Sequence, residues 1–222
     1  VSALYNMVDQ FFIGHSVGML GNAATNVAFP LNTTCTAIAL LFGIGGAANF
    51  NLCMGAGRED EARRYLGTAV SMLVICGVAL CLIVNIFLEP MMKAFGATDD
   101  VLGYALTYTR ITAFGFPFVI LATGGGHLIR ADGSPKFSMV CMLTGAVLNT
   151  ILDPLFIFVF DWGIAGAAWA TVIGQVISAS IAAWYLAHYK TVTLRLADLK
   201  PKVRDCLQIL SLGMAPCFNH LA

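Results

Sequence analysis

Apolar residues run in long blocks, and short polar stretches interrupt them. Five blocks, residues 27–54, 65–87, 101–128, 139–160 and 164–186, each reach or exceed the roughly 20 residues that a helix needs to cross a bilayer. Two shorter blocks lie at the ends, 1–13 and 206–222. The pattern predicts an all-α, polytopic transmembrane bundle: a truncated first helix, five full spans and the start of a seventh. Both short ends read as parts of longer spans, so the chain reads as a portion of a larger protein.

Polar stretches between the blocks carry the orientation signal. Loop 2–3 holds Arg58, Arg63 and Arg64, loop 4–5 holds Arg130 and Lys136, and loop 6–7 holds Lys190, Arg195, Lys200, Lys202 and Arg204. These are ten of the twelve basic residues, and they place the three loops in the cytoplasm. Only Lys93 falls on the other side, and Arg110 is inside the fourth span.

Composition agrees with a membrane protein. Of the 222 residues, 59% are apolar and 11% charged, against about 25% charged in soluble domains. Mean hydropathy is +0.82. Net charge is zero, which gives no reason to expect a nucleic-acid partner. The seven cysteines are scattered with no CxxC pair, so neither a disulfide framework nor a zinc site is expected. No nucleophile–base set is present, and no enzyme activity is expected. The glycines at 43, 45, 46 and 124–126 lack the strand, spacing and lysine of a phosphate loop, and read as close helix contacts.

Against this background the polar residues inside the spans stand out. Asn149 and Asp153 are four apart, hence on one helical face. Pro154 follows, has no amide hydrogen, and deprives the Thr150 carbonyl of its helical partner. Asp153 lies seven residues before the outer end of the fifth span, and Thr171 seven after the outer start of the sixth. At 1.5 Å per residue, both are roughly 10 Å below the outer surface. Asp9 is four residues before the end of the first block, at a comparable depth. Ionisable groups at such depth are functional-site candidates. Repulsion and desolvation favour uptake of a proton or a cation there, and an all-oxygen set favours a hard cation such as Na⁺. Asn32 and Arg110 are further polar residues within spans, and His127 sits near the inner end of the fourth.

Taken together, the motifs resemble the bacterial type of multidrug and toxic compound extrusion (MATE) transporters. Val8-Asp9-Gln10-Phe11-Phe12-Ile13-Gly14 is similar to that family's first-helix signature, and Gly55-Ala56-Gly57-Arg58-Glu59 through Arg64 to its loop 2–3. Arg110 with Gly115-Phe116-Pro117, and Leu128-Ile129-Arg130-Ala131-Asp132-Gly133-Ser134-Pro135-Lys136, resemble its fourth helix and the following loop. Asn149, Asp153 and Pro154, then Gly163-Ile164-Ala165-Gly166 through Thr171, resemble helices five and six. The likeness covers essentially the whole chain.

The resemblance implies an N-terminal six-helix lobe at residues 1–189, a cytoplasmic linker at 190–204, and the start of a C-terminal lobe at 205–222. It implies alternating-access antiport in the bacterial inner membrane, with cationic or amphipathic small organic molecules exported against Na⁺ or H⁺. No cofactor other than the coupling ion is expected, and the complete protein is expected to be a monomer in contact with membrane lipid. The coupling site, and the Na⁺ ligands if Na⁺ is used, would be Asp9, Asn149, Asp153 and Thr171. Tyr5, Asn32 and Arg110 would line the cavity. The kinking proline usual early in the family's first helix is missing, as is most of the C-terminal lobe. A lipid-linked oligosaccharide flippase of the related superfamily, or a non-transporting membrane scaffold, are the alternative readings.

Overall fold

The computed structural model of the chain describes residues 10–15 and 17–221. Residues 10–15 are helical (α1). They are followed by α2 (Met19–Gly55), α3 (Glu59–Ile86), a short α4 (Leu88–Ala94), α5 (Asp99–Ala131) and α6 (Pro135–Pro154). A π-helical turn, Leu155–Val159, continues α6, and α7 covers Gly163–Ala187. A 3₁₀ turn, Leu196–Leu199, precedes α8 (Val203–Leu221). The described residues contain no strand, and five helices are long and apolar enough to cross a membrane. The chain is therefore an all-α polytopic membrane bundle, as the hydropathy pattern predicts.

Helix boundaries differ from those drawn on hydropathy. α3 begins at Glu59, so Arg63 and Arg64 are in its first turns rather than in a loop. Glu59, Asp60 and Glu61 occupy that first turn, where carboxylates complement the helix dipole. α2 reaches back to Met19, and α5 starts on Asp99 and Asp100 in the same acidic manner. The stretch expected as a loop after α3 contains α4, closed by an exposed pair in which Lys93 Nζ donates to Glu89 over 2.6 Å. That bond, together with the charge attraction behind it, holds the Glu89 carboxyl below the usual range and raises the Lys93 ammonium.

α5 and α7 bury half of their most apolar windows, whereas α3 and α6 bury 22% and 17%. The latter two thus leave most of the surface of those windows uncovered by the rest of this chain.

Contacts divide the chain into two compact units. The first is made of the described residues up to Asn32, with 79–116 and 143–177. Its core includes Ile13, Met92, Ala105, Phe116 and Ile157. The second is made of 33–78, 117–142 and residues from Ser178 onward. Small residues let its helices touch backbone to backbone. A Cβ added at Gly43 would fall 2.7 Å from Gly124 Cα, and one at Gly45 2.2 Å from the Ile209 carbonyl oxygen. The glycines expected as contact points thus perform that role between α2 and α5, and between α2 and α8.

Within the second unit the start of the linker is tied to the end of α5. Asp132, 8% exposed, accepts hydrogen bonds from Tyr185 Oη (2.8 Å), from the amides of Lys190 (2.8 Å) and Thr191 (3.0 Å), and from the Thr191 hydroxyl. Tyr189 Oη donates to the Leu128 carbonyl over 2.7 Å, and burial raises its phenol above the ordinary range.

Candidate cation site

Asn149 and Asp153 are on α6 and Thr171 is on α7, all within the first unit. The two helices approach closely because of their glycines. A Cβ on Gly174 would sit 2.9 Å from the Gly145 carbonyl oxygen, and one on Gly166 would sit 2.9 Å from that of Phe156. Larger residues would push α7 away from α6 and open the space between Asn149 and Thr171.

The side chains meet through Asn149. Its Nδ2 donates to Asp153 Oδ1 and to Thr171 Oγ1, both over 3.2 Å. Asn149 is 4% exposed and Asp153 fully buried. Asn149 Oδ1 is buried with no hydrogen-bond partner, which is costly unless a ligand or water completes it. The set combines a carboxylate, an amide oxygen and a hydroxyl, the donors that a hard cation prefers. Na⁺ therefore fits these residues, and so does a proton on the carboxylate. Among the described residues no group of three or more His, Cys, Asp or Glu could hold a metal. A cation here would be bound by neutral oxygens around one described carboxylate.

Pro154 remains helical, with φ −64° and ψ −31°, and the chain beyond it widens into the π turn. There the amide of Phe160 reaches the Leu155 carbonyl over 3.1 Å. The proline therefore marks a change of helical register rather than a break. Such π segments recur at functional sites because they re-aim the adjoining side chains.

Among the remaining sequence candidates, Asp9 and Tyr5 lie outside the described residues. Asn32 on α2 and Arg110 on α5 are exposed, and His127 is half-buried in α5. None of these three is among the hydrogen-bond partners of Asn149 described above.

Sequence reasoning passed over one residue. Gln175 is one helical turn beyond Thr171, and its Oε1 is buried without a partner. The gap is shaped by Gly115 on α5, where an added Cβ would fall 2.1 Å from that oxygen. The signal was available as polar residues at i and i+4 in an otherwise apolar helix.

The MatE family model matches residues 1–155. The multidrug export protein MepA of Staphylococcus saprophyticus is 29% identical over 221 residues, covering 98% of this chain and 48% of that protein. MepA of Staphylococcus aureus strain MSSA476 is 26% identical over 219 residues, with the same two coverages. A solved inward-facing multidrug resistance MATE family transporter of the MOP superfamily is 25% identical, with a TM-score of 0.90 over 100% of this chain and 50% of its own. An outward-facing counterpart is 25% identical, with a TM-score of 0.89 over 99% and 49%. The chain thus spans about half the length of the relatives it matches. With a family model over more than half of its residues, and a helical fold shared along its whole length, the chain belongs to the MatE family.

Proposed function

We propose that this chain supplies the cation-coupled lobe of a secondary active multidrug exporter. The whole protein would exchange cationic or amphipathic organic molecules for Na⁺ or H⁺ by alternating access in a bacterial cytoplasmic membrane. Its basic stretches at 55–64, 130–136 and 189–204 would face the cytoplasm, following the bias of basic residues. Family membership supports the transporter class. The observation that carries the coupling assignment is the Asn149 amide, which joins a fully buried carboxylate to a hydroxyl on the neighbouring helix and leaves Oδ1 unpartnered.

In this reading Asp153 carries the charge that changes. Asn149 Nδ2 holds the Asp153 carboxylate and the Thr171 hydroxyl together. Cation entry favours a half-turn of the amide, so that Oδ1 joins the carboxylate and the hydroxyl as a ligand. Protonation instead cancels the charge that Nδ2 stabilises. Both events alter the α6–α7 contact, and Pro154, which directly follows Asp153, brings the π turn at the outer end of α6 into that change. Asp9 is proposed as a further ligand from the family resemblance alone.

The test is drug resistance in cells expressing the full-length protein with Asp153→Asn. The amide keeps shape and hydrogen bonding but cannot be protonated or offer a full negative charge. Resistance is expected to fall to the level of cells lacking the transporter at equal membrane expression. Unchanged resistance would remove the assignment.

A further inference from the structure

A second polar site is present where α2 ends and where α3 and α8 begin, all within the second unit. It is a cleft of about 320 Å³, lined among others by Asn49, Leu52, Arg58, Glu61, Arg64 and Arg204. Its floor is built. Asn49 Nδ2 donates to the carbonyls of Gly45 (2.8 Å) and Gln208 (3.2 Å), and the Tyr65 hydroxyl donates to Gln208 Oε1. These bonds pin the first turns of α8 against α2 and α3.

The charges within the cleft do not balance. Arg58 pairs with Glu61 at 2.9 Å, and Arg64 with Asp205 at 3.3 Å. Arg204 stands in none of the ion pairs among the described residues. Three guanidinium groups thus face two carboxylates. Arg64 Nε is buried with no hydrogen-bond partner, so one guanidinium on the wall has unused donor capacity. Leu52, 62% exposed, provides an apolar lip beside this charge.

We infer that this cleft binds the phosphodiester headgroup of an anionic membrane lipid. One excess positive charge matches the single charge of a phosphodiester better than the roughly −1.5 to −2 of a phosphate monoester near neutral pH. Guanidinium groups suit phosphate oxygens because they donate in pairs. The helix ends that form the cleft are where a membrane-spanning chain meets the headgroup layer, and basic pockets between spans at that level hold anionic headgroups. Leu52 would lie along the glycerol and upper acyl carbons. Bound lipid would bridge α2, α3 and α8.

Native mass spectrometry of the full-length protein in detergent, titrated with phosphatidylglycerol or with phosphatidylcholine, tests this. Phosphatidylglycerol adducts are expected to exceed phosphatidylcholine adducts about five-fold. Arg204→Gln and Arg58→Gln are each expected to lower the phosphatidylglycerol adduct about five-fold. Both residues are solvent-exposed, and an unchanged melting temperature confirms that the fold is retained. Lys93→Gln, remote in sequence and outside the cleft, is expected to leave the adduct unchanged. Equal adducts for the two lipids, or full phosphatidylglycerol binding by both arginine variants, would overturn the inference. Displacement of phosphatidylglycerol by an equal concentration of inorganic phosphate would overturn the lipid as occupant.

Discussion

Two buried aspartates in this chain are handled in opposite ways. Asp132, in the second unit, receives two backbone amides and two hydroxyls, and Lys190 Nζ donates to the neighbouring Ser134 hydroxyl. Those donors come from the end of α7 and the linker, so the carboxylate works as a fastener. Asp153, in the first unit, is more deeply buried and accepts from the Asn149 amide, whose own Oδ1 is an unused acceptor. A site rich in donors fixes a carboxylate permanently. A site with spare oxygens is completed by something that brings positive charge. The contrast teaches that burial of an acid does not itself signal function, whereas the balance of donors and acceptors around it does.

Variants can break or sharpen this comparison. The largest effect on stability is expected for Asp132→Ala, which strands several buried donors and costs about 2–4 kcal/mol. The melting temperature of the detergent-solubilised protein should fall by several degrees, while cation binding by correctly folded protein stays intact. Thr171→Val is nearly isosteric and removes the acceptor of one Asn149 bond. It is expected to weaken cation binding about ten-fold, read by isothermal titration, with little change in melting temperature. Gln175→Leu removes an unpartnered carbonyl, so the melting temperature should hold or rise. A melting temperature that falls instead would show Gln175 to be structural.

The exposed Glu89–Lys93 pair should show the smallest effect. The lowered Glu89 carboxyl contributes stability above its unfolded value, and that contribution is lost as pH falls through the folded value. The raised Lys93 ammonium contributes below its unfolded value and loses its contribution as pH rises through the folded one. Glu89→Gln should therefore leave the melting temperature at neutral pH almost unchanged, since exposed pairs are worth little.

The spans were legible in the sequence because a crossing helix needs an uninterrupted apolar window, a signal that survives sequence-specific detail. Asn149 and Asp153 were legible because two polar residues four apart stand out in such a window, and Thr171 followed from matching depth. Gln175 obeys the same spacing, but an uncharged amide in a span draws less notice than a carboxylate. α4 was hidden because seven residues give too little periodicity to separate a helix from a loop. The Asp132 fastener was hidden because Asp132-Gly133 is an ordinary turn signal. Its partners Tyr185, Lys190 and Thr191 are more than fifty residues away.

The central claim is that Asp153 couples cation entry to export. Its most direct test is uptake of a fluorescent organic cation into proteoliposomes of the full-length protein, with a Na⁺ gradient or a pH gradient imposed separately. The account predicts that one of the two gradients drives uptake by the parent protein and that neither drives it in Asp153→Asn. Equal gradient-driven uptake by parent and variant would contradict it.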